Sequence, residues 1–119
     1  MENQIIYQKL KQNVVDEYQQ GEKYYAILSV INALALTKRD VQLAAFTAVK
    51  GSISEIKLKN EFCKKHKTSL PTVNNLISRL KKKNILVKNK NGIVVNPVIS
   101  LDFKKPLKLE INLQNGETK

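Results

Sequence analysis

Residues 68–97 read TSLPTVNNLISRLKKKNILVKNKNGIVVNP, and this stretch decides the fold. Ser69 has a side-chain oxygen suited to capping a helix start, and Pro71 follows in the first turn, where a missing N–H costs nothing. Val73, Leu76, Ile77 and Leu80 then recur at helical spacing and form one apolar stripe. Asn84 suits a C-terminal stop. Beyond it, Ile85-Leu86-Val87-Lys88 and Ile93-Val94-Val95-Asn96 flank Asn89-Lys90-Asn91-Gly92. Two β-branched runs around Asn-Gly predict a hairpin, which Pro97 ends. The unit is therefore a capped helix followed by a basic two-stranded hairpin.

Upstream, Lys59 to about His66 predicts a shorter helix with Phe62 and Cys63 inward, joined to the capped helix by the turn Lys67-Thr68-Ser69. Ser52 to Leu58 predicts a short strand, because Ile56 and Leu58 alternate with polar neighbours. A longer helix opens at Thr37, with Asp40 three positions on as a capping box, carries Val41, Ala44, Ala45, Ala48 and Val49 inward, and ends at Gly51. Before it, Glu22 to Ala35 predicts a helix with Ile27, Val30, Ile31 and Leu34 on one side. Glu2 to Gln20 predicts another, with Ile6, Leu10, Val14 and Tyr18 recurring every four residues and Gly21 as its stop. After Pro97, Ile99, Leu101 and Phe103 alternate with polar residues, as do Leu107, Leu109, Ile111 and Leu113, which predicts a strand-like extension. Gln114 to Lys119 reads as a frayed tail. The expected fold class is mainly α with a small β-sheet. It divides into N-terminal helices over 1–36 for packing or dimerisation, a core unit over 37–98, and an extended segment over 99–119.

Charge is distributed as unevenly as structure. The 119-residue chain carries +11, and the 34 residues from Lys57 to Lys90 hold eleven basic groups against Glu61 alone, a net of +10. The remaining 85 residues are close to neutral. Lysines concentrated this way repel one another, and a partner that is itself a dense line of negative charge is the simplest reason to hold them together. A solvated face kept for solubility is the bland reading, but it would not need such local crowding. No acidic residue occurs from Lys64 to Ser100.

Several functions are disfavoured by what is missing. The single cysteine, Cys63, excludes an internal disulfide. Cys63 and the lone His66 stand at i, i+3, but no second ligand pair exists, so no metal and no cofactor are expected. The four glycines are isolated, so no phosphate loop forms, and no nucleophile–base pairing is evident: the chain is not expected to be an enzyme. Tyr24 to Leu36, the longest apolar run, is thirteen residues, too short to span a bilayer. With no basic leader followed by an apolar run, the expected location is the cytoplasm, or a host's cytoplasm if the gene belongs to a phage.

Helix, tight turn, capped helix and basic hairpin, in that order, resemble the winged helix-turn-helix of MarR-like regulators and of winged-helix plasmid and phage replication initiators. The matching residues are Ser69, Pro71-Thr72-Val73, Ile77, Arg79-Leu80, Lys83-Asn84-Ile85-Leu86 and Val95-Asn96-Pro97. LTKRDVQLAAFTAVKG, residues 36–51, resembles the helix that opens such domains. The likeness spans about residues 36 to 98. The chain differs in its shorter wing, in the lengths of the helices before it, and in a strand-like C-terminus where MarR-like proteins have dimerising helices.

The resemblance implies a double-stranded DNA-binding protein, a transcriptional regulator or a replication-associated factor of a bacterium, plasmid or phage, acting as a homodimer with no small-molecule ligand evident. With the apolar stripe of the capped helix inward, a 100° step per residue puts Pro71, Asn75, Ser78 and Lys82 opposite, with Thr72, Asn74 and Arg79 on the flanks. Expected base readers are Thr72, Asn74, Asn75, Ser78 and Arg79, since Asn can pair with an adenine edge and long cations reach bases or phosphates. Expected backbone contacts are Lys57, Lys59, Lys64, Lys65, Lys67, Ser69, Lys81, Lys82, Lys83, Lys88 and Lys90. An alternative from another class is a winged-helix protein-interaction or virion-assembly module. A single-strand binder comes third, because only Phe62 among aromatics falls in the basic stretch and it is expected to point inward.

Overall fold

The computed structural model describes residues 16–100. Four helices precede a two-stranded antiparallel sheet: α1 (Glu17–Ile31), α2 (Lys38–Lys50), α3 (Ile56–His66), α4 (Leu70–Lys82), β1 (Leu86–Asn89) and β2 (Gly92–Val95). The molecule is thus mainly helical with a small sheet after the helices. The expected helix before residue 16 and the strand-like run beyond Ser100 lie outside the described residues.

α4 follows its sequence closely. Ser69 accepts the Thr72 N–H, and Val73, Leu76, Ile77 and Leu80 are all buried. Its end is a Schellman motif. Asn84 takes the left-handed conformation (φ +62°), its N–H reaches the Lys81 carbonyl, and the Ile85 N–H reaches that of Leu80. Ile85 and Leu80 are both buried beside this closure, so the stop is sealed by packing as well as by hydrogen bonds. The hairpin pairs Leu86 with Val95 and Asn89 with Gly92, leaving Lys90-Asn91 at the tip. Gly92 sits at φ +105°, and a Cβ there would collide with Ser54 Oγ, so backbone conformation and space both favour glycine. Asn96 and Pro97 end β2 as expected, and a single 3-10 turn, Pro97–Ile99, follows.

α2 opens on the expected capping box, with Thr37 Oγ1 accepting from Asp40 N–H while Asp40 Oδ2 accepts from Thr37 N–H, and closes on Gly51 at φ +89°. Val41, Ala44 and Ala45 are buried with Leu43, Phe46 and Thr47, Ala48 packs against them, and Val49 is half-buried. Aromatic rings run through the core from Tyr18 to Phe46, Phe62 and His66, at centroid distances of 5.8, 5.4 and 4.6 Å.

Three expectations are corrected. Gly21 does not stop a helix: α1 starts at the Asp16 cap and runs through it. Glycine in a helix interior costs about 1 kcal/mol relative to alanine, but Gly21 is buried with Tyr25 and Ser29 in a helix held by packing against α2, which outweighs that cost. Second, this helix ends at Ile31 rather than Ala35. The linker after it bends through Ala33 and Ala35, both at φ +54°, a conformation costing about 1–2 kcal/mol for a residue with a Cβ. Ser29 offsets that strain, its carbonyl accepting from Leu34 N–H and its buried hydroxyl from Leu36 N–H, both at 2.9 Å. Third, residues 52–58 are not a strand. Ile56 and Leu58 belong to α3, and only Ile53 pairs with the sheet, its N–H donating to the Ile93 carbonyl at 2.9 Å. Ser54 Oγ accepts the Ile93 N–H, so a side chain replaces the second backbone bond. The buried apolar residue of this stretch is Ile53, outside the Ile56/Leu58 alternation, and Ile56 is 57% exposed.

Candidate nucleic-acid interface

α4 is held between neighbours on two flanks. On one, Lys59 of α3 donates from Nζ to Asn74 Oδ1 at 3.2 Å. On the other, Arg79 donates from Nε and Nη2 to Oδ1 of Asp40 on α2, at 3.2 and 2.6 Å. Between the flanks, Pro71, Asn75, Ser78 and Lys82 are exposed, as the 100° step requires. Among the described residues the side chains of Asn75 and Ser78 make no hydrogen bond, so both present free polar groups outward.

The five expected base readers are therefore not equivalent. Asn75 and Ser78 are open. Thr72 is half-buried with its hydroxyl 3.0 Å from that of Ser69. Asn74 is exposed but engaged by Lys59, and Arg79 is engaged by Asp40. Asp40 is fully buried while the Arg79 side chain is 45% exposed, so the pair has one desolvated partner and one that still reaches solvent. Nη1 of Arg79 is unengaged among the described residues. Sequence reasoning gave Asp40 only its capping role. Its carboxylate does both jobs, one oxygen for the cap and one for Arg79, and nothing in the sequence signals a pairing across 39 positions.

The lysines also sort into groups. Lys81 and Lys82 at the end of α4 and Lys88 and Lys90 on the hairpin are exposed and without a polar partner among the described residues, and so are Lys57, Lys64 and Lys67 around α3. Lys83 differs, since its Nζ donates to the Leu34 carbonyl at 2.6 Å and ties α4 to the strained linker. Lys65 differs too, with its ammonium 4.2 Å from the Tyr18 ring centroid, on the α1 side of α3 rather than the α4 side. Beside it, Lys50 pairs with Glu61 at 3.5 Å. Ser69 is exposed, with its hydroxyl spent on the helix cap.

The turn between α3 and α4 is fastened by a cation that sequence reasoning left out. Arg39 Nη1 donates to the His66 carbonyl at 2.8 Å, while Lys67 takes the left-handed conformation (φ +52°) and the Thr68 N–H closes on Cys63. Burial first, then the charges of Lys65 and Arg39, hold the His66 imidazole below its ordinary pKa, so it is neutral at pH 7. Cys63 and His66 lie one turn apart on α3, and among the described residues no third potential ligand joins them. No helix among the described residues is long and apolar enough to cross a membrane. No protein-family model, curated protein or solved structure matches the chain.

Proposed function

We propose that the chain is a winged helix-turn-helix protein that binds double-stranded DNA, with α4 as the recognition helix and the β1–β2 hairpin as the wing. The observation that carries this reading is the outward side of α4. It combines two uncommitted short polar side chains, Asn75 and Ser78, with a run of exposed lysines continuing onto the hairpin, and has no acidic residue along it. Short polar groups on the outward side can approach base edges, and flexible cations towards the helix end follow phosphates. The Ile53–Ile93 pairing supports the winged reading, since it ties the loop before α3 to β2 close to the hairpin turn, on the edge where a third strand would pair.

In this reading Asn75 and Ser78 read bases. Thr72, Asn74 and Arg79 stand beside them, with Arg79 oriented by Asp40 so that only its outer edge is offered. Lys57, Lys64, Lys67, Lys81, Lys82, Lys88 and Lys90 neutralise phosphates. A transcriptional or replication role in the cytoplasm of a bacterium, or of a phage or plasmid host, follows from the class of module. Selection of bound sites from random duplex DNA provides the test. A preferred site should emerge; Asn75→Ala should cost about 1–3 kcal/mol on it and little on random duplex. Lys82→Ala should weaken both by a similar factor. Equal losses from Asn75→Ala on preferred and random sites would remove α4 as the reader.

A further inference from the structure

Arginine is scarce in this chain. Nineteen of its 21 basic residues are lysine, and the two arginines, Arg39 and Arg79, both fasten the start of α2 to its neighbours. Arg79 has donors to spare after doing so. A guanidinium is a planar fork of five N–H groups. The side edge of this one, the Nε hydrogen and one Nη2 hydrogen, is spent on Asp40 Oδ1 at 3.2 and 2.6 Å. The end edge, formed by the second Nη2 hydrogen and one on Nη1, is uncommitted among the described residues, and the side chain is partly exposed. Asp40 itself is wholly buried, and its other oxygen accepts the Thr37 N–H at 2.9 Å, so the carboxylate is a fixed anchor rather than a mobile counter-ion. Asn75 lies one helical turn before Arg79 and Ser78 lies beside it, which places the three in one exposed patch of α4.

On the duplex-binding reading, on which this inference rests, we propose that Arg79, oriented by Asp40, selects a guanine. Two parallel N–H donors on one rigid edge match the O6 and N7 acceptors that guanine presents side by side in the major groove. No other base offers that pair. Adenine puts a donor where guanine has O6, cytosine shows a donor, and thymine shows a single acceptor beside its methyl group. Asp40 is the positioning residue: it holds the fork in one orientation before DNA is present, so less rotational freedom is lost on contact. The spacing along α4 limits where the guanine falls. Four residues of helix span about 6 Å, close to two base-pair steps of about 3.4 Å, which puts it within about two base pairs of the base that Asn75 reads.

Selection of duplex sites, followed by binding to chemically altered sites, tests it. The preferred site should hold a guanine in that window around the position that Asn75→Ala flattens. Replacing this guanine by 7-deazaguanine removes the N7 acceptor but keeps the base pair, and should weaken binding of the full chain about fivefold. Arg79→Gln, which keeps a donor but not the fork, should bind the two sites alike. Asp40→Asn keeps an oxygen for the cap and removes the charge that orients Arg79; it should flatten the guanine position and leave the Asn75 position selective. Flattening of both positions would remove the positioning role of Asp40. The 7-deazaguanine comparison uses the unaltered protein, so it decides even where a variant fails to fold. A preferred site with no guanine in the window, or one bound equally well with 7-deazaguanine, would overturn the proposal and leave the duplex reading standing. Equal losses from Arg79→Gln on preferred and random duplex would do the same, by making Arg79 a phosphate contact. No duplex binding at low salt would overturn both.

Discussion

α1 and α4 each carry an apolar stripe at helical spacing, and they use it in opposite ways. α4 turns Val73, Leu76, Ile77 and Leu80 into the core and leaves Asn75, Ser78 and Lys82 outside. α1 buries Gly21, Tyr25 and Ser29 and leaves Ile27, Val30 and Ile31 outside. Periodicity locates a stripe but not the direction in which it faces. In α4 the opposite side is polar, so burial could go only one way. In α1 both sides can be buried, and the side with Tyr25 and Ser29 is the one turned inward, where Tyr25 joins the core and Ser29 pins the linker.

Truncation on the two stripes should have the largest and most unequal effects. Leu80→Ala, at a fully buried position, should cost about 2–5 kcal/mol by urea denaturation. Ile31→Ala should cost the isolated protomer less than about 0.5 kcal/mol, at concentrations too low for association. Comparable losses at the two positions would mean that the α1 stripe is covered within one chain.

The flank of α4 rests on the Arg79–Asp40 pair. Arg79→Ala leaves a fully buried Asp40 carboxylate without its cation, which should cost about 2–3 kcal/mol, below the range for a wholly buried pair because Arg79 is partly exposed. Arg79→Lys should recover only part of this, since one ammonium cannot replace two guanidinium donors on the same oxygen. A neutral Arg79→Ala in thermal and urea unfolding would show that Asp40 is sustained by its cap alone.

The smallest effect is one of pH. Because the folded state lowers the His66 pKa, the unfolded chain binds more protons near pH 6, so stability rises with pH there. The contribution is present above the unfolded imidazole value and is lost as pH falls through the folded one. The melting temperature should therefore drop slightly between pH 7 and pH 5, and His66→Gln should flatten that part of the profile. An unchanged profile in His66→Gln would assign the drop to other groups.

Local signals were the legible ones. The Thr37 capping box, the Ser69 cap with Pro71, the Asn84 stop and the hairpin around Asn89–Gly92 each depend on residues within a few positions, and each is present. Gly21 was misread because propensity is a weak term that packing overrides, and Ile56 because a two-step alternation also fits the first turn of a helix. The candidate interface was legible as a direction, since Asn75, Ser78 and Lys82 do lie on one exposed side. Its commitments were not. Asp40 to Arg79, Lys83 to Leu34 and Arg39 to His66 join residues 27 to 49 positions apart, and only the folded chain brings them together.

The proposal that the exposed side of α4 and the hairpin grip a duplex is tested most directly by the salt dependence of binding. Neutralising about five phosphates should make the slope of log K against log salt roughly −4 to −5. Lys88→Ala and Lys90→Ala should each make it shallower by about one unit. Lys65→Ala, whose ammonium rests on the Tyr18 ring away from α4, should leave it unchanged. A slope near zero, or no duplex binding at low salt, would contradict DNA binding and favour a protein partner for the same lysines.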